Sequence, residues 1–199
     1  MKKIFISQRL DKVGKFYELR DNLDTRFSLF FEKLGMIPII VPNNYYQTKT
    51  ILKKIKPNGI ILSPGGDPQK KDARYKTEYL LMNHAKQKNI PLLGICRGAQ
   101  ALNIFFGGKI KKIKNHVRKN HKLQGLLLKN KNNVKTKCFH DYGINKNILG
   151  KNLNILAYTK DGSIECFKHD YKKMMGIMWH PERFLKFRKF EIEIIKNFF

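Results

Sequence analysis

The chain has 199 residues, 42% hydrophobic and 12% aromatic, a length suited to one domain spanning 1–199 and a composition that excludes a disordered chain. Its formal net charge of +26 attracts phosphates, nucleic acid or anionic membrane surfaces. Yet only eight of the 41 basic residues are Arg, the better fork for specific phosphate recognition, so solvated background lysines are the favoured reading of the charge.

The N-terminal apolar stretch, residues 3–6, ends at Gln8-Arg9 and reads as a first strand rather than a signal peptide. Residues 17–34 place Leu19, Leu23, Phe27, Phe30, Phe31 and Leu34 at helical spacing, and Gly35 ends the pattern. A strand over 37–41, a short helix over 48–56 and a buried strand over 59–62 follow, then the turn 63–68. A helix over 74–88, a strand over 90–95 and a helix over 99–106, stopped by Gly107-Gly108, complete a βαβα rhythm. That rhythm predicts an α/β fold with a central, mostly parallel sheet flanked by helices on both faces. The second half predicts strands over 123–128, 134–139, 153–159, 163–167 and 174–179, with an Asp161-Gly162 hairpin turn and a closing helix over 187–199. No run approaches the roughly 18 apolar residues needed to cross a bilayer, so a cytoplasmic protein with no membrane partner is expected.

Cys96, Cys138 and Cys166 are odd in number and widely spaced, which fits neither a disulfide framework nor a paired-Cys metal site. One of them has a distinctive setting. Gly94-Ile95-Cys96-Arg97-Gly98 lies between an apolar strand and a helix, the thiol counterpart of the Gly-x-Ser-x-Gly nucleophile elbow. A helix N-terminus behind the sulfur favours thiolate over thiol. An isolated Cys is more often plain core, but paired glycines and the strand-to-helix context favour a nucleophile. Among six histidines, His180 is best placed, because it follows the apolar strand 174–179 and so emerges at a sheet edge. Glu182, held by Pro181, can accept the imidazole N–H and fix its tautomer. Pro64-Gly65-Gly66-Asp67, after a strand, can aim the Gly66 N–H at an oxyanion, with the Arg97 N–H as second donor.

These pieces, in this order, resemble the class I glutamine amidotransferase family, in particular its stand-alone γ-glutamyl hydrolase branch. The likeness spans nearly the whole chain: Ser7-Gln8-Arg9, residues 19–24, residues 39–43, the Gly65-Gly66 turn, Arg74 with Glu78, the elbow through Asn103, Cys138-Phe139-His140, residues 161–165 and Trp179-His180-Pro181-Glu182. It implies a flavodoxin-like fold and cysteine-dependent cleavage of a γ-glutamyl amide through a glutamyl thioester, with no metal or organic cofactor. It also implies that Gly65, Gln100 and the His140 segment hold the glutamyl end. Departures are Lys137-Cys138 where the family has Asn-Ser, and Asp141 where a second His or Asn is common.

Residues 109–137 carry eleven Lys or Arg and no acid, which predicts an anionic leaving half near the cleft, and the resemblance implies that this half is nucleotide-linked. Arg9, Arg20 and Arg74 are the other candidates for holding its phosphate. A glutaminase subunit with a synthase partner, a homodimer, and hydrolysis of a neutral γ-glutamyl amine all stay open. A nucleic-acid-binding module is disfavoured, since there is no zinc-finger spacing, RNA-recognition aromatic motif or basic helix.

Overall fold

Ile4, Phe5 and Ile6 are all fully buried, so the first strand is covered on both faces, as in a sheet sandwiched between helix layers. The computed structural model describes residues 1–16, 18–128, 134–184 and 186–199. In chain order the elements are β1 (Lys2–Ile6), β2 (Arg9–Val13), β3 (Glu18–Asn22), α1 (Arg26–Leu34), β4 (Met36–Ile40), α2 (Tyr45–Lys54), β5 (Gly59–Leu62), α3 (Ala73–Lys88) and β6 (Leu92–Ile95). After these come α4 (Arg97–Phe105), β7 (Lys111–Lys112), β8 (Val117–Lys122), β9 (Lys135–Phe139), β10 (Tyr142–Gly143), β11 (Leu153–Tyr158), β12 (Ile164–His169), β13 (Met174–Ile177) and α5 (Lys189–Phe198).

Seven strands form the main sheet in the order β11-β12-β13-β6-β5-β1-β4. From β13 to β4 all neighbours are parallel, while β12 and β11 extend the sheet antiparallel. The mostly parallel α/β architecture expected from the sequence is present. Alternation along β1 assigns the two cores: Ile4 and Ile6 pack with α1 and α5, and Phe5 packs with α2, α3 and α4. Pro38 sits within β4, which a central strand would not tolerate; β4 is the sheet edge. The Asn44 side chain caps α2 at the Gln47 N–H (3.0 Å), and Asp72 caps α3 at the Tyr75 N–H (3.0 Å).

Two expectations need correction. The helix read over 17–34 begins only at Arg26. Its first part is instead β3, paired with β2 in a hairpin from Arg9↔Asn22 to Val13↔Glu18. Leu19 fitted the helical period but is exposed (62%). Tertiary bonds override the local pattern: Asp21 accepts from the Asn43 backbone N–H (3.0 Å) and Nδ2 (2.6 Å). Tyr17 lies outside the described residues. The strand read over 123–128 is also displaced. The ladder to β9 is carried by Val117–Lys122, whose polar sequence has no apolar alternation, and Leu126–Leu128 forms a 3₁₀ turn. The basic segment 109–137 includes residues 129–133, which lie outside the described residues.

The α1 face is a direct test of this layering. Phe30→Ala, at a fully buried site, should cost about 3–5 kcal/mol in urea unfolding, whereas exposed Leu29→Ala should stay within about 0.5 kcal/mol.

Candidate active site

β6 ends at Ile95 and α4 starts at Arg97, leaving Cys96 alone to turn the chain. It does so at φ 50°, ψ −104°, a conformation L-residues rarely hold and one that stores about 1–3 kcal/mol of strain. The flanking glycines are steric necessities. A Cβ on Gly94 would lie 2.5 Å from the Gly98 carbonyl, and one on Gly98 would lie 2.8 Å from the Leu62 carbonyl carbon. Both obstacles are backbone and cannot swing aside, so α4 can approach β5 and β6 only if these positions lack side chains.

Cys96 lines a cavity of about 340 Å³ together with Gly65, Gly66, Asp67, Gln100, Phe139, His140, Asp141 and Tyr142. Burial pushes its thiol up to about 12, and the Glu182 charge adds to the effect; Arg183 and the Arg97 N–H act the other way. This corrects the expectation of a favoured thiolate, because loss of solvation outweighs the helix N-terminus in the resting site.

β13 lies parallel to β6 with Ile177 opposite Ile95, and the Cys96 N–H donates to the Ile177 carbonyl (2.7 Å). Cys96 and His180 therefore leave the same end of neighbouring strands. Pro181 opens a 3₁₀ turn over Pro181–Arg183 that returns Glu182 to the imidazole, with Nδ1 2.7 Å from Glu182 Oε1. Burial lowers the His180 pKa against the raising effect of Glu182, so the ring is neutral at neutral pH. With Nδ1–H directed to the carboxylate, the Nε2 lone pair can accept a proton. The Phe139 ring packs edge-on against His180 (5.4 Å between centroids) and carries the Arg183 guanidinium on its face (4.6 Å).

The turn after β5 takes left-handed conformations at Gly65 (φ 85°) and Gly66 (φ 82°). Arg74 braces it, donating from Nη1 to the Gly65 carbonyl (2.6 Å) and from Nη2 to the Ser63 carbonyl (2.6 Å). Arg74 Nε donates to Glu78 Oε1 (2.9 Å), which also accepts from the Ser7 hydroxyl (2.8 Å). Glu78 Oε2 pairs with the Arg97 guanidinium. Arg74 is thus buried and committed to the turn, which corrects its reading as a phosphate ligand. Arg20 pairs with Glu18 on the exposed hairpin and does not line the cavity. Arg9 pairs with Asp11 (3.1 Å), lies against Gly65 and borders a separate crevice with Leu23 and Arg183. Gln100 does line the cavity, with Nε2 donating to the Tyr142 carbonyl (2.8 Å), and His140 Nδ1 faces the same carbonyl (3.1 Å).

Sequence reasoning missed the two acids of the cavity wall, Asp67 and Asp141, which turn chemistry alone does not distinguish from solvent-facing residues. It also missed a buried meeting of His116, Cys138, His140 and Glu165. Apart from the close pair Cys138 and His140, their spacing carries no metal-ligand signature, so only the fold assembles them.

Residues 23–199 match the family described as Glutamine amidotransferase class-I. The chain is 32% identical, over 90% of its own length and 90% of the relative's, to the gamma-glutamyl-CDP-amidate hydrolase of Campylobacter jejuni subsp. jejuni. It is 31% identical to anthranilate synthase component 2 of Cyanophora paradoxa, covering 84% of this chain and 90% of that one. A glutamine amidotransferase structure from Thermotoga maritima superposes with a TM-score of 0.68 at 15% identity, covering 98% of this chain and 83% of that one. Among the described residues no helix is long and apolar enough to cross a membrane.

Two outcomes follow from the site's electrostatics. Glu78→Gln leaves two buried guanidiniums without a counter-charge and should cost about 3–5 kcal/mol in urea unfolding, against less than about 0.5 kcal/mol for exposed Glu18→Gln. Iodoacetamide labelling of Cys96, followed by peptide mass spectrometry, should keep rising about tenfold per pH unit from pH 7 to pH 10. A plateau below about pH 9 would show a thiolate stabilised at rest.

Proposed function

The chain belongs to the class I glutamine amidotransferase family and is an amide hydrolase, and from that premise we propose that it cleaves a γ-glutamyl amide with Cys96 as nucleophile. His180 takes the Cys96 proton as the sulfur attacks the γ-carbonyl, which removes the cost of a standing buried thiolate. The Gly66 and Arg97 N–H groups receive the tetrahedral oxyanion. His180 then protonates the leaving nitrogen, and the C–N bond breaks to leave a glutamyl thioester. A water activated by His180 attacks the thioester, and glutamate leaves as the proton returns to Cys96. Glu182 holds the imidazole tautomer throughout. The observation that carries this reading is the strained Cys96 elbow on the cavity floor, beside the strand that delivers the 2.7 Å His180–Glu182 pair.

Within the same reading, the substrate is γ-glutamyl-CDP-amidate, split to glutamate and cytidine diphosphoramidate as in capsular phosphoramidate biosynthesis. Similarity to the Campylobacter hydrolase over most of both chains supports this choice. The charge distribution supports it as well. Asp67 and Asp141 line the cavity and suit the α-ammonium of a glutamyl group, not a phosphate. The diphosphate is therefore assigned to the mouth. There, exposed Lys111 and Lys112 of β7 pair with β10, whose Tyr142 lines the cavity. The likeness to anthranilate synthase component 2 favours a second reading, a glutaminase delivering ammonia to a partner.

Glutamate release from glutamine, neutral γ-glutamyl amines and γ-glutamyl-CDP-amidate separates these readings. The nucleotide amidate should be turned over fastest, and Cys96→Ala should lose at least about 10⁴-fold. Glu182→Gln should lose about 10⁴-fold in kcat with little change in KM, because it disturbs the tautomer and not the binding surface. Turnover of glutamine alone would select the glutaminase reading. Unaltered turnover by Cys96→Ala would remove the thioester route.

A further inference from the structure

Four side chains outside the Cys96–His180–Glu182 set meet behind the cavity wall. His116 precedes β8, Cys138 lies in β9, His140 follows it and Glu165 belongs to β12; all four are buried. Each offers one ligand atom, and these atoms lie within 4.8 Å of one another. Glu165 Oε1 stands 3.5 Å from His116 Nδ1 and 3.4 Å from His140 Nε2, and Glu165 Oε2 stands 3.4 Å from Cys138 Sγ. A tetrahedral ion with bonds of about 2.0–2.3 Å has ligand-to-ligand edges of about 3.3–3.8 Å, so the two edges from Glu165 Oε1 to the imidazoles already match, while the thiol meets the other oxygen of the same carboxylate.

The imidazoles are oriented for ligation. His116 Nδ1 and His140 Nε2 are buried atoms with no hydrogen-bond partner, in side chains 0% and 2% exposed. The opposite nitrogen of each ring has an acceptor: His116 Nε2 lies 2.8 Å from Asp161 Oδ2, and His140 Nδ1 lies 3.1 Å from the Tyr142 carbonyl. Holding the N–H on those sides aims both lone pairs at Glu165 and Cys138, the outer-sphere arrangement that metal-binding histidines use. Glu165 faces both nitrogens within ion-pair reach, which places the carboxylate at the centre of the group.

We infer that His116, Cys138, His140 and Glu165 bind one zinc-type divalent cation as a closed structural site. Two imidazoles and a thiolate select zinc over magnesium or calcium, and four protein ligands leave no position for a reacting water. On binding, the Cys138 S–H bond breaks, its proton leaves to solvent and an S–metal bond forms, with no change in oxidation state. The ion ties the β8–β9 hairpin to the main sheet. Phe139, between two of the ligands, is thereby fixed against His180, so the metal acts on the site by positioning its wall. This proposal is independent of the substrate assigned above.

The test uses the full chain with Cys96→Ala and Cys166→Ser, which leaves Cys138 as the one thiol. After excess zinc chloride and gel filtration, elemental analysis should find about one zinc per chain, and under about 0.1 once Cys138→Ser is added. Cobalt(II) in the Cys138-only protein should give a sulfur-to-cobalt charge-transfer band and tetrahedral visible bands. Chelation should lower the melting temperature of this protein and leave that of the Cys138→Ser variant unchanged. A folded Cys138-only protein, verified by circular dichroism, that retains no zinc or lacks the sulfur-to-cobalt band would overturn the site. Equal zinc retention with and without Cys138 would overturn it as well.

Discussion

The Glu78 carboxylate is the constraint on which the rest of the site depends. It lies on α3, 1% exposed, and takes the Arg74 guanidinium on one oxygen and Arg97 on the other. Through Arg74 it sets the Ser63 and Gly65 carbonyls, and through Ser7 it reaches the end of β1, since the Ser7 hydroxyl also accepts the Ser63 N–H (3.0 Å). The Gly65-Gly66 turn and the first residue of the elbow helix are therefore fastened to a single buried charge. Such a cluster is costly to desolvate, and hydrophobic replacements could be as stable. What it supplies is geometry: two glycine-rich loops that would otherwise sample many conformations are held in one relation to each other.

The elbow shows the same exchange of local comfort for placement. Cys96 holds an unfavourable φ because β6, α4 and the neighbouring β13 leave it no other path, and its N–H is bound to Ile177. The strain is affordable only in a packed setting, where Ile95, Ala99 and Leu102 are fully buried around it. Burial also decides the acid–base state. A thiol held up to about 12 beside an imidazole held down is a neutral pair at rest, so on the proposed route proton transfer accompanies the attack.

The charge of +26 divides in the folded chain. Most lysines are solvated, the buried arginines brace turns, and the cavity wall itself presents carboxylates at Asp67 and Asp141. Net charge thus describes the approach to the site rather than its floor. The hairpin β8–β9 contributes to both: it is basic on its exposed residues, and at its base it brings Cys138 and His140 to Glu165.

By itself, the sequence determined the alternation of strands and helices, the elbow around Cys96, and the pairing of His180 with Glu182. Those features are local: apolar period, glycine placement and a Pro-constrained turn act within a few residues. Tertiary structure alone decided the rest. The stretch around Leu19 has a helical period, yet it became a strand because Asp21 is bound by Asn43, a partner 22 positions away. Arg74 could not be told from a phosphate ligand until the Gly65 carbonyl was found in its fork. His116, Cys138, His140 and Glu165 span 50 residues of chain, and no spacing rule links them. They meet because the residue before β8, β9 with the residue after it, and β12 bring them to one buried point, and a side chain's chemistry there depends on neighbours that only the fold supplies.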